Sequence, residues 1–190
     1  MFSRTERLLL RPGWIEDAPA LARAIADEAI IRNLARAPWP YTLAHAEQFV
    51  QSAHPPHEPA LLLFRRTHGA PQLVGGAGLS RDPDGEIELG YWIARPYWGL
   101  GYATEAARAV VDFARDSLRL KRIRAGHFLD NPASGRVLGK LGFRPGRVTQ
   151  RYSAGRGRAV PCRLYCLTLD PNAAIEDEAA AEPVCQMLAA

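Results

Sequence analysis

Apolar residues recur along this chain with two different periods, and the switches between them lay out its elements. Arg7-Leu-Leu-Leu-Arg-Pro12 is a short apolar run closed by charge and proline, which predicts a first strand. Ile15-Glu-Asp17 then starts an Ala- and Leu-rich stretch at helical spacing that runs to about Asp27. A second helix is predicted over Ala44–Ala53, with Thr42 as N-cap, His45 at the capping-box glutamate position, and Pro55 and Pro56 as its stop. Strands follow at Ala60–Arg66, Leu73–Arg81 and Glu86–Ile93, the last two joined by the turn signal Asp82-Pro-Asp-Gly85. Ala103, Ala106, Ala107, Val110, Val111 and Ala114 return to the helical period and carry a helix to about Leu118. Arg122–Phe128 reads as a strand, Asn131-Pro-Ala-Ser134 opens a helix that closes at Gly142, and Arg147–Ser153 with Pro161–Leu169 reads as a hairpin about Ala154–Arg158.

Strands and helices therefore alternate in one α/β domain. At 190 residues the chain suits a single domain with a sizeable core. No apolar run approaches the ~18 residues of a membrane span. The opening Met-Phe-Ser-Arg-Thr-Glu-Arg lacks the apolar stretch of a signal peptide, so the expected location is cytoplasmic. Cys162, Cys166 and Cys185 form no metal-ligand spacing and suit a reducing compartment; Cys162 and Cys166 read as small apolar residues on one strand face. Net charge is +4, yet the last twenty residues hold four acids and no Lys or Arg, which leaves the first 170 at +8. Such a basic body can steer a polyanionic cofactor, whereas no motif points to nucleic acid. Residues 171–190 are Ala- and acid-rich without amphipathic order and are expected to form a mobile tail.

Tyr97 to Glu105, reading Tyr-Trp-Gly-Leu-Gly-Tyr-Ala-Thr-Glu, joins a strand to an apolar helix and carries the chemistry. Two glycines remove the side chains that would block close approach, so successive N–H groups at a helix N-terminus can face one anion. The three-glycine dinucleotide fingerprint and the Gly-Lys-Ser/Thr triphosphate loop are both absent. The string resembles the pyrophosphate loop of the GCN5-related N-acetyltransferases (GNAT), with Trp98 at the usual Arg or Gln position. Its branch is similar to the ribosomal-protein N-terminal alanine acetyltransferases. Asn131-Pro-Ala-Ser134, Val137-Leu138 and Lys140-Leu-Gly-Phe143 resemble a second motif of that branch, and Thr5-Glu-Arg-Leu-Leu-Leu-Arg-Pro12 resembles its opening strand.

The resemblance implies a mixed, mostly antiparallel sheet flanked by helices over residues 5–170. It also implies acetyl-CoA as cosubstrate and no metal. The pyrophosphate is expected on the backbone of Gly99, Leu100, Gly101, Tyr102, Ala103 and Thr104, and the pantetheine arm on the strand end Trp92, Ile93 and Ala94. The Ile93 N–H is the expected donor to the thioester carbonyl. Asn131 matches the position that binds the pantetheine amide. Ser134 matches the side chain that serves the departing thiolate, by a hydrogen bond or a water relay since a hydroxyl is a weak acid.

An amine nucleophile must be neutral, which asks for a carboxylate nearby. Glu86 and Glu88 share a strand face, and Glu88 lies nearer the loop. Glu105 reads as structural, His127 as packed, and His54 and His57 as surface loop. Trp14, Trp39 and Tyr41 fall in the segment that covers the acceptor site in the resembled family, where they line a slot or pack. Arg156, Arg158 and Arg163 are candidates for the cofactor's 3′-phosphate, and the hairpin offers an edge for a homodimer. A covalent acyl-cysteine route finds no base beside Cys162 or Cys166 in sequence, so direct transfer is expected. The acceptor is an amine, either a protein N-terminus or a small molecule such as an antibiotic; a non-catalytic acyl-CoA-binding module is the alternative from another class.

Overall fold

In the computed structural model, which describes residues 1–82 and 84–170, the chain enters through β1 (Ser3–Arg4) and β2 (Leu8–Arg11). The stretch expected to be a tail lies outside the described residues, with Cys185 in it. A 3-10 turn at Ile15–Asp17 leads to α1 (Ala18–Ile25), α2 (Glu28–Ile31) and α3 (Leu43–Gln51). Then come β3 (Ala60–Arg65), β4 (Gln72–Arg81), β5 (Ile87–Ile93), α4 (Tyr102–Asp116), β6 (Arg122–Phe128), α5 (Pro132–Lys140), β7 (Arg144–Ser153) and β8 (Arg158–Thr168). Among the described residues no helix is long and apolar enough to cross a membrane.

Three local readings differ from the structure for identifiable reasons. The helix expected from Ile15 to about Asp27 opens as a 3-10 turn and ends at Ile25, and Asp27 caps a further turn, α2, through its bond from the Ala29 N–H at 2.8 Å. Helix α3 ends at Gln51, where Ser52 turns extended, ahead of the two prolines. Strand β8 begins at Arg158 with Pro161 inside it. That proline is tolerated because β6 ends at Phe128, so the side of β8 that lacks its N–H faces no strand; its carbonyl accepts instead from the Leu129 N–H at 3.0 Å.

The eight strands form one sheet in the order β1-β2-β3-β4-β5-β6-β8-β7. Every neighbouring pair is antiparallel except β5 with β6, which pair in parallel only at Glu88 with Arg124 and Leu89 with Ala125. Beyond Leu89 the two strands part. The expected mixed, mostly antiparallel sheet flanked by helices is what the chain forms.

Strand alternation divides the sheet between two cores. Leu8, Leu10, Leu61, Leu63, Ile87, Leu89 and Ile93 pack against Tyr102, Ala106, Ala107, Val110 and Ala114 of α4, with Leu138 of α5 alongside. Leu62 and Phe64 face the other way, onto Leu21, Ile25, Ile30, Ile31 and Ala46 of α1 to α3. Trp92 joins this second face, lying over Gly76. A Cβ on Gly78 would stand 2.2 Å from the Pro59 carbonyl oxygen, whereas one on Gly90 would meet nothing within 4 Å. Gly78→Ala is therefore expected to lower stability by about 1–3 kcal/mol in urea unfolding, as overpacking does, and Gly90→Ala to stay within about 0.5 kcal/mol.

Candidate active site

The loop between β5 and α4 is shaped by two left-handed residues, Gly99 at φ 77° and Gly101 at φ 82°. Gly101 is the N-cap of α4 and brings no side chain to the helix end, so the first-turn N–H groups stay available to an anion. The loop is held from behind. Glu105 accepts from the Thr5 hydroxyl, from the Arg7 N–H at 2.9 Å and from Arg7 Nε at 2.7 Å. Arg7 Nη1 donates to the Leu100 carbonyl at 2.9 Å, and its guanidinium lies 4.6 Å from the centre of the Tyr102 ring. Burial pushes the Glu105 carboxyl up, and the bonds from Thr5 and Arg7 outweigh it, leaving it below its ordinary value. Its charge faces Arg7, in keeping with a structural role.

Trp98 ties the loop to the strand. Its indole Nε1 donates to the Ile93 carbonyl at 2.6 Å. The Ala94 N–H is bonded to Val74 at 2.8 Å, and the alternation of an antiparallel ladder then turns the Ile93 N–H away from β4. It points to the side where β6 has departed.

A cleft of about 1390 Å³ opens at this parting. Trp92, Ile93, Gly99, Gly101, Tyr102, Ala103, Thr104, Asn131, Ser134 and Glu88 all line it. Ala94 and Leu100 do not: the N–H of the first is engaged by Val74, and the carbonyl of the second is turned to Arg7. Asn131 caps α5, its Oδ1 accepting from the Ser134 N–H at 3.4 Å. The Ser134 hydroxyl lies 2.8 Å from the phenol of Tyr91, which also reaches the Ser134 carbonyl at 3.1 Å. Burial pushes the Tyr91 phenol up to about 12, against the pull of Ser134.

On the opposite face Glu88 is buried and bidentate with Arg151, whose Nη2 donates to Oε2 at 2.6 Å. Arg151 starts on the edge strand β7 and reaches β5 across β8 and β6. Gly126 makes this possible, since a Cβ there would stand 3.3 Å from Arg151 Nη1 and 3.4 Å from Glu88 Oε1. It would also stand 3.1 Å from the Cys162 sulfur, so the thiol sits beside the ion pair, a neighbour the sequence did not disclose. Burial raises the Cys162 thiol above its ordinary value, which argues against a thiolate nucleophile.

A family model described as an acetyltransferase (GNAT) domain matches residues 7–144. The chain belongs to the GNAT acetyltransferase family. The N-acetyltransferase p20 of Bacillus licheniformis is 26% identical over 170 residues, covering 86% of this chain and 93% of that one. A GNAT-family acetyltransferase from Bacillus anthracis superposes with a TM-score of 0.75 at 23% identity, over 89% of this chain and 99% of that one. RimL, a ribosomal L7/L12 α-N-protein acetyltransferase solved with coenzyme A, superposes with a TM-score of 0.72 at 19% identity, over 88% and 98%.

In this acetyltransferase several expected residues sit elsewhere. Glu86 precedes β5 and pairs with Arg122 at 3.1 Å, off the cleft. Trp14 and Trp39 are about half exposed and do not line the cleft, whereas Tyr41 does. His54, expected on the surface, is exposed yet lines the cleft beside Phe49, and His127 is packed under Gly135 as expected. Arg156 is held by Asp130 at 2.7 Å and by the Arg32 carbonyl at 2.6 Å, which removes it from the 3′-phosphate candidates. Tyr91 and Arg151 escaped sequence reading because each acts on a residue 43 or 63 positions away. The acetyltransferase's acid stability should depend on Glu105. A lowered carboxyl stabilises the fold above the ordinary carboxylate range and loses that contribution as pH falls through the lowered value. Glu105→Gln should lower the melting temperature at pH 7 and flatten its fall below about pH 4, as calorimetry across pH would read.

Proposed function

We propose that the enzyme moves the acetyl group of acetyl-CoA directly to an α-amine in a ternary complex. The observation that carries this reading is that one cleft meets both faces of the sheet at the parting of β5 and β6. The glycine loop and Ser134 stand with α4 and α5, and Glu88 and the open Gly90 stand with α1 to α3. Cofactor and amine then approach the same strand edge from opposite sides. The pyrophosphate rests on the N–H groups of Gly99 and of Gly101 to Thr104, and the pantetheine arm runs along Trp92, Ile93 and Asn131.

The amine attacks the thioester carbonyl beside Gly90, forming the C–N bond while the carbonyl oxygen gains charge that the Ile93 N–H receives. Collapse breaks the C–S bond, and the thiolate takes a hydrogen bond from Ser134, which Tyr91 orients. Arg151 occupies two of about four lone-pair sites of the Glu88 carboxylate, leaving the others to accept the proton of the amine, directly or through water. An α-amine is neutral in a far larger fraction near pH 7 than a lysine side chain, with reference values of about 8 and about 10.4. That difference favours an α-amine over a lysine side chain, and RimL, a protein α-N-acetyltransferase by its name, shares the fold.

Acetyl-CoA and CoA should raise the melting temperature and ATP should not. Gly90→Leu, which fills the open space without touching the loop, should keep that rise and abolish thiol release with any acceptor; retained turnover would remove the amine from this face. Ser134→Ala should lower kcat by roughly 10²-fold, with little change in the KM for acetyl-CoA, and Tyr91→Phe should add little to it. Glu88→Gln leaves Arg151 buried and unpaired, so a destabilisation of about 3–5 kcal/mol is expected. Activity is therefore best compared in Glu88→Gln combined with Arg151→Met.

A further inference from the structure

We propose that the acceptor carries an anionic group close to its amine, and that Arg36 recognises it. This rests on the reading that the amine approaches from the Glu88 face. Among the described residues three carboxylates line the cleft, Glu58, Glu88 and Asp130, and each is already bound by arginine. Glu58 is paired with Arg81, Glu88 with Arg151, and Asp130 with Arg156 and Arg32. A second ammonium on the acceptor would find no unpaired carboxylate. Arg36 has the opposite status. It is exposed at the cleft, and its Nη2 is anchored by two neutral acceptors, Ser80 Oγ at 2.7 Å and the Arg81 carbonyl at 3.0 Å. Among the described residues no carboxylate pairs with it, so its Nε and Nη1 donors remain for a ligand.

Register sets the spacing between the two groups. Ser80 is directly opposite Glu88 in the β4–β5 ladder, which puts both side chains on one face with Cβ atoms about 5 Å apart. The anchored guanidinium thus stands on the same sheet face as Glu88 and beside its strand, while the carboxylate itself leans away from β4, over Gly126 of β6. An acceptor that satisfies both has an amine and a carboxylate a few bonds apart. Either the acidic side chain at the first or second position of a peptide N-terminus or the α-carboxylate of a free amino acid has this chemistry. A polyamine or aminoglycoside lacks it.

The test is thiol release by the full-length enzyme with matched acceptors. C-terminally amidated hexapeptides that begin Ala-Asp, Ala-Asn or Ala-Lys form one arm, alanine against alaninamide the second, and spermidine the third. The expected result is kcat/KM at least about 10-fold higher for the acidic member of a pair, one well-formed charged contact being sufficient for that. Preference within the peptide arm assigns the carboxylate to a side chain, and within the alanine arm to a free amino acid. In Arg36→Ala the ratio should fall towards one through the KM of the acidic acceptor, and Arg36→Lys should restore part of it. Added salt should shrink the wild-type ratio, because the guanidinium is exposed. Equal use of the acidic and neutral members in both the peptide and the alanine arms, preference for spermidine, acetylation of none of them, or an equal loss on all acceptors in Arg36→Ala would each overturn the proposal. Gly90→Leu separates the two readings, since it removes all acceptors alike while Arg36→Ala changes only their ranking.

Discussion

Everything distinctive about this molecule depends on how little of β5 is paired with β6. Two residues of parallel ladder hold the two halves of the sheet together, and beyond them the strands diverge. Backbone groups at the parting lose a strand partner and must find another, in water or in a ligand. On the proposed reading, a cofactor arm with its own amides is such a partner. Glu88 and Arg151 then bridge the sheet from β5 to the edge strand β7, and the absence of a side chain at Gly126 leaves room for the crossing.

The cofactor loop owes its shape to contacts from outside itself. Glycines permit the left-handed turns, but Thr5 and Arg7, in the connection between the first two strands, hold Glu105 and Leu100, and Trp98 holds Ile93. This gives Trp98 a structural role at the position where the resembled pattern carries Arg or Gln. Its indole N–H fixes the carbonyl of Ile93 at the end of β5. The opening motif Thr5-Glu-Arg7 and the loop motif Ala103-Thr-Glu105 are two halves of one latch.

Charge distribution on the acceptor face follows a different rule from the loop. Each carboxylate there is matched to at least one arginine, and matched pairs fix side-chain positions more than they add stability. The arginine anchored through neutral groups is the exception, and its orientation is set by Ser80 and a carbonyl and not by an opposing charge.

Local rules carried the chain a long way on their own. Apolar periodicity laid out the strands and the long helix α4, Thr42 and Asn131 marked helix starts, and the glycine loop with the Asn-x-x-Ser helix pointed to the family and its cofactor. These signals act over a few residues, so they are written in consecutive positions. Their errors were also local, as at Asp27 and Pro161, where a cap or a missing neighbour outweighed the period. What only the tertiary structure decided is which groups meet: Tyr91 with Ser134, Arg151 with Glu88, Cys162 with that pair, and Arg36 with Ser80. Those contacts join strands and helices far apart in the chain, and no spacing rule encodes them, because they arise from the order of strands in the sheet and the place where two of them part.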